Sequence, residues 1–133
     1  MDIHAPIKPN HGAGGIKLGT LVNEITEEPL YIKSLTDYDL WVYENIKLWI
    51  NEGKVTEIAV YNNYQGSYDD ISLGTTLQEL KNRYEEIYED SEDNISVKDL
   101  YGIIFETEPW SGDHSLNQNL DKKITEIIIS HYF

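Results

Sequence analysis

The sequence predicts an α+β domain in which two tandem helix-plus-antiparallel-strand repeats share one sheet, with the helices on one face. Two matched stretches and one hairpin signal carry that expectation. Residues 16–25 read IKLGTLVNEI and residues 71–80 read ISLGTTLQEL, identical at five of ten positions at an offset of 55. Downstream, Lys54-Val55-Thr56-Glu57-Ile58 and Lys123-Ile124-Thr125-Glu126-Ile127 agree at four of five positions, at an offset of 69. Between them Asn51-Glu52-Gly53-Lys54 reads as a hairpin turn with Gly at the left-handed position. The matches fall in the same order in both halves. They place internal repeats at about 14–64 and 69–133 within a single domain spanning 1–133. A half this short is marginal on its own, which is why a shared sheet is expected.

Taken in order, residues 1–13 read as an irregular lead-in, and Gly12, Gly14 and Gly15 with Pro6 and Pro9 make it flexible. It has no apolar segment of the secretory kind, and nowhere do ~18 apolar residues run together. A soluble, cytoplasmic protein is expected. In the first repeat Leu21, Val22 and Ile25 start a helix after Thr20, and Glu27, Glu28 and Pro29 end it early. Residues 40–61 alternate as strands, with Ile46, Leu48 and Ile50 on one side. In the second repeat Thr75-x-x-Gln78 fits a capping box. Leu77, Leu80, Tyr84 and Ile87 or Tyr88 then recur at helical spacing, predicting a helix from about 76 to 89. Strands at 100–110 and 122–133 flank a polar loop at 111–121. Leu18, Ile25, Leu73, Leu77 and Leu80 are the expected core positions of the repeats.

Charge narrows the function. The chain carries 24 acidic and 10 basic residues, a formal −14. Residues 1–66 hold nine acids and five bases, and 67–133 hold fifteen acids and five bases. Six acids crowd into EEIYEDSED, 85–93. Such a surface repels nucleic acid and anionic lipid and draws basic partners over long range. There is no Cys, hence no disulfide and no thiol nucleophile. His4, His11, His114 and His131 stand singly, without metal-binding spacing. Asp90, Glu92 and Asn94 start like a calcium loop, but Ile95 stands at its sixth position and Tyr101 at its twelfth, where Gly and Glu belong. No Gly-x-Ser-x-Gly occurs, and Gly12-Ala13-Gly14-Gly15 is followed by no Lys-Ser/Thr of a phosphate loop. The expectation is a protein that is not an enzyme, with no catalytic residue, cofactor or metal.

The tandem unit of Ile-x-Leu-Gly-Thr, short helix, aromatic-rich strands and Gly hairpin resembles the helix-plus-hairpin repeats of β-lactamase inhibitor protein. The small, acidic, Tyr-rich, Cys-free profile is similar to the immunity proteins encoded beside bacterial polymorphic toxins, including those of contact-dependent growth inhibition. That resemblance implies binding and neutralisation of a cognate toxin domain, basic and often a nuclease, with neither nucleic acid nor membrane as partner. It carries no residue over. The acidic half supplies the expected partner surface: Asp69 and Asp70, then Glu85, Glu86, Glu89, Asp90, Glu92 and Asp93 at the helix end. Tyr68, Tyr88 and Trp110 are its expected aromatic anchors, and the 111–121 loop its lateral contact. So many carboxylates at a helix C-terminus oppose the macrodipole, which suggests a compensating use. Two other readings stand beside this one. One is a non-catalytic regulatory or structural domain with another basic partner; the other is an enzyme or small-ligand carrier using a sheet face.

Overall fold

Alternation of apolar and polar residues runs through far more of the chain than helical spacing does, and it resolves into strands. The structure is a computed structural model that describes residues 1–90, 94–112 and 115–133. Strands β1 (Gly12–Ala13) and β2 (Ile16–Lys17) form a small hairpin. The remaining eight are β3 (Tyr31–Ser34), β4 (Asp39–Val42), β5 (Ile46–Asn51), β6 (Lys54–Tyr61), β7 (Ile87–Glu89), β8 (Ile95–Val97), β9 (Ile103–Thr107) and β10 (Ile124–Ser130). They make one antiparallel sheet in the order β3-β4-β5-β6-β10-β9-β8-β7. Among the described residues the one α-helix is α1 (Leu77–Arg83).

This corrects the expected fold class. The domain is mostly β, not an α+β arrangement of tandem helix repeats over a sheet. In the first half the helix is reduced to a 3-10 turn, Val22–Glu24, because Ile25 is already extended (φ −87°, ψ 113°) ahead of Pro29. In the second half α1 stops at Arg83 rather than near 89, and Tyr84 is extended (φ −122°, ψ 128°). A longer helix would have stacked Glu85, Glu86 and Glu89 on its negative end. The chain instead switches to period-two alternation, and Ile87-Tyr88-Glu89 becomes β7. The cap also falls one residue later than expected. Thr76 Oγ1 accepts from the Glu79 N–H at 3.1 Å, while Thr75 Oγ1 accepts from the Ser72 N–H at 3.1 Å. Gln78, expected to reach back to the cap, is paired with Asn82 at 2.8 Å.

The two halves make the same backbone bonds around these starts. Gly19 N–H donates to Val55 O at 2.7 Å, and Gly74 N–H to Ile124 O at 2.8 Å. Val55 N–H donates to Thr20 O (2.9 Å), and Ile124 N–H to Thr75 O (2.8 Å). Val22 N–H donates to Gly53 O (2.8 Å), and Leu77 N–H to Lys122 O (3.0 Å). Gly19 and Gly74 both sit in the left-handed region (φ 89° and 93°), so the Gly of Ile-x-Leu-Gly is required by the turn. Each half then runs through four consecutive antiparallel strands, and the halves join where β6 pairs with β10.

One face of the sheet is the core. Ile46, Leu48, Ile58, Val60, Ile103, Phe105, Ile127 and Ile129 are buried there together with Leu77 and Leu80 of α1. Leu18, Ile25 and Leu73, expected beside them, are only partly buried against the cluster. The stretch expected to be a flexible lead-in is packed: Ile7 and Ala13 are buried in the core, and Gly14 N–H donates to Tyr64 Oη at 2.8 Å. No helix among the described residues is long and apolar enough to cross a membrane.

Candidate binding face

Pleating sends alternate side chains to the other face of the sheet. The register places there Tyr31 and Lys33 of β3, Leu40 of β4, Lys47 and Trp49 of β5, and Glu57 and Tyr61 of β6. Glu126 and Ile128 of β10 and Ile104 and Glu106 of β9 continue the same face. Two bulges shape it. β6 slips against β5 between Trp49 and Ile50, leaving Thr56 without a register partner, and β10 slips against β9 between Ile124 and Glu126, leaving Thr125 without one. The bulge absorbs the extra residue, so that Val55 and Ile58 both point to the core while Glu57 points away, and the same holds for Ile124, Ile127 and Glu126. Each bulge threonine reaches the carbonyl of the residue facing its glutamate: Thr56 Oγ1 to Trp49 O at 3.3 Å, and Thr125 Oγ1 to Glu106 O at 3.5 Å. The repeated Lys-x-Thr-Glu-Ile motif is therefore a device for presenting a carboxylate.

The carboxylates crowd. Glu126 faces Glu106 across β9 and Tyr61 across β6. Lys47 Nζ pairs with Glu126 Oε1 at 2.8 Å and lies 4.6 Å from the Tyr61 ring centroid. Glu106 is pushed up to about 7 by burial, then by the charge of Glu126 and a hydrogen bond with it; Asp90 adds to this and Lys47 opposes it. Glu57 is raised too, by burial first and by Glu126 second. Lys47 thus offsets both Glu126 and Glu106. The side chains of Lys47, Trp49, Glu57, Tyr61, Glu106 and Glu126 all keep part of their surface open to water. Chemically the cluster offers carboxylate oxygens beside aromatic surface. Among the described residues no group of His, Asp and Glu is placed to hold a metal.

The residues singled out from sequence fall elsewhere, in two separate places. Asp69 and Asp70 occupy a left-handed turn (φ 51° and 63°), and the Asp69 carboxylate takes hydrogen bonds from Arg83 and from Tyr84 Oη, the latter at 2.8 Å. Those bonds, Arg83 first and Tyr84 second, lower Asp69 to about 2. Asp70 lies 3.9 Å from Arg83. The turn clamps the end of α1. Tyr68 and Trp110, expected as anchors, are partly buried against the core, with Trp110 Nε1 donating to Thr107 Oγ1 at 2.8 Å.

Glu85, Glu86, Tyr88, Glu89 and Asp90 surround the edge strand β7, not a helix terminus. Tyr88 Oη donates to Glu86 Oε2 (2.5 Å), Lys98 lies 3.3 Å from Glu86, and Asp90 Oδ1 accepts from the Asn94 N–H at 3.0 Å. Tyr88 faces Ser96, on the margin of the open face. Glu92, Asp93 and His114 lie outside the described residues. The 111–121 loop is tied inward by Asn119, which is fully buried and bonds Ser111 N, Ser111 O and Ser115 O at 2.8, 3.1 and 2.7 Å. Sequence reasoning missed the open-face cluster because it sought acids in runs. The signal was the acid at alternate strand positions, Glu57, Glu106 and Glu126, within Lys-x-Thr-Glu-Ile and Ile-Phe-Glu.

No family model and no curated protein matches the chain. Among solved structures it is similar to the crystal structure of the uncharacterized protein YfeY from Escherichia coli, with a TM-score of 0.65 and 13% identity, covering 92% of this chain and 97% of that one. The likeness is one of fold alone.

Proposed function

We propose that this chain is a non-catalytic cytoplasmic binding protein, an immunity protein that neutralises a basic toxin domain by holding it on the open face of the sheet. The observation that carries the reading is the imbalance around Lys47. Glu126, delivered by one bulge, and its neighbour Glu106 share Lys47 beside Tyr61, and the matched bulge sets Glu57 opposite Trp49 on the same face. An Arg or Lys from a partner supplies the missing charge through a charge-assisted hydrogen bond. The aromatic rings offer the large, stiff contacts that carry binding energy once water is excluded. A nuclease domain fits as partner because it needs cationic residues for phosphate, and an acidic face competes for the same residues. Neither nucleic acid nor an anionic membrane is a partner for such a face.

The test is calorimetric titration of the purified chain into basic nuclease-type toxin domains, starting with any such domain found encoded beside its gene, with toxin activity followed in parallel. A stoichiometric complex that silences the toxin and weakens with salt is expected. A toxin that works unimpeded in the presence of excess protein rules the reading out.

A further inference from the structure

Among the described residues the sheet order leaves β3 and β7 each with one free edge, and the two are finished differently. β7 is flanked by Glu85, Glu86, Glu89 and Asp90, the kind of charge that keeps an edge from pairing. β3 is guarded less. All four of its residues are exposed, its one charge is Lys33, and it sits between exposed Leu30 and Leu35. Leu30 is 71% exposed, Tyr31 58% and Ile32 49%, large apolar surfaces for a chain end of a sheet. On the core side of this edge a groove of about 590 Å³ runs between residues 25–29 and β3–β4, with Ile25, Ile32 and Trp41 in its wall and Glu27 and Glu28 beside them.

We propose that the β3 edge is a strand-addition site for an extended segment of a partner protein in which apolar and basic residues alternate. The unpaired main-chain groups of an edge strand supply the affinity of such a mode, and pockets for every second side chain supply its selectivity. An apolar residue of the incoming strand fits over Ile25, Ile32 and Trp41. A basic one meets Glu28, which is exposed, while Glu27 already holds the N-terminal ammonium of Met1. Charge chooses between occupants. A second copy brings its own −14 and its own Glu27 and Glu28 to the same edge, whereas a basic segment is drawn to it. This surface is distinct from the carboxylates of the open face, and the inference holds whether or not the partner is a toxin.

The experiment pans the full chain against a displayed library of random linear peptides and maps the winners by amide hydrogen exchange. Enriched peptides should alternate apolar and basic residues and should protect the amides of residues 31–34. Ile32→Lys, which removes the apolar contact and adds a second charge to β3, should weaken them roughly tenfold or more with the thermal transition unchanged. Glu28→Gln, an exposed substitution that leaves the fold alone, should weaken basic peptides, and Glu57→Gln should not. The proposal is overturned by any of four results: no enrichment, acidic winners, protection elsewhere on the chain, or indifference to both edge variants. It also falls if residues 31–34 are protected by self-association of the chain, because the edge then belongs to a second copy.

Discussion

Glu57 and Glu126 stand at equivalent bulges in β6 and β10, the two strands that pair at the centre of the sheet, and both carboxylates emerge on the face opposite the core. The bulge at the threonine before each glutamate is what makes this possible. If that threonine were paired in a regular ladder, strict alternation would send the glutamate inward or the preceding apolar residue outward.

Deleting Thr125 should therefore be tolerated, because Ile124, Glu126 and Ile127 then alternate core, open face, core with no bulge. Thr125→Ser keeps the bulge and should cost under about 1 kcal/mol. Urea unfolding of both variants checks this. A loss of about 3–5 kcal/mol on deletion, the cost of an uncompensated buried charge, would mean that the shortened strand turns Glu126 into the core.

The raised Glu106 gives a pH signature. Its carboxyl titrates at about 7 in the fold, against an ordinary value of 4.5. Between those values the folded state holds a proton that the unfolded state has released, so stability falls as pH rises through the window and levels off above it. The thermal midpoint of Glu106→Gln should lack this decline and should exceed that of the wild type at pH 8. A wild-type midpoint that rises across the window once other groups are matched by the variant would contradict the sign.

Leu80 is fully buried beneath the sheet, whereas Leu73 is only partly covered. Leu80→Ala should cost about 2–5 kcal/mol and Leu73→Ala distinctly less. Chemical denaturation of the two variants measures the difference. A loss below about 1 kcal/mol at Leu80 would place it outside the core.

Asp69 holds Arg83 and Tyr84 at the end of α1, so its expected effect is on the stability of that helix. Its depressed carboxyl contributes stability that is present above its ordinary value of 3.8 and lost as pH falls through about 2. Asp69→Asn should speed amide exchange in residues 77–83 and leave partner affinity within twofold. Loss of affinity with unaltered exchange would return Asp69 to the interface.

Particular residues show what the sequence made legible. The paired Ile-x-Leu-Gly-Thr and Lys-x-Thr-Glu-Ile stretches could be read because they fix backbone: a left-handed glycine in one, a bulge in the other. The hairpin at 51–54 was readable for the same reason, Glu52 and Gly53 both having positive φ (51° and 75°). The end of α1 was not. Tyr84, Ile87 and Tyr88 satisfy helical spacing and strand alternation alike, and only the cost of stacking Glu85, Glu86 and Glu89 on a helix C-terminus separates the two. That cost, first taken as a hint of function, is avoided by leaving the helix. β3, β7 and β8 are three or four residues long, too short for a periodic signal. The open-face site was hidden because Glu57, Glu106 and Glu126 become neighbours only through strand pairing.

The central claim is that the open face receives the cationic surface of a protein partner. The most direct test is the association rate with a basic toxin domain that the chain binds, measured against ionic strength for the wild type and for a Glu57→Gln, Glu106→Gln, Glu126→Gln variant. The variant should lose about an order of magnitude or more in rate at low salt, and most of its salt dependence, with the fold intact. An unchanged rate and slope in that variant, together with a loss on neutralising Glu85, Glu86, Glu89 and Asp90, would contradict the account and move the interface to the β7 edge.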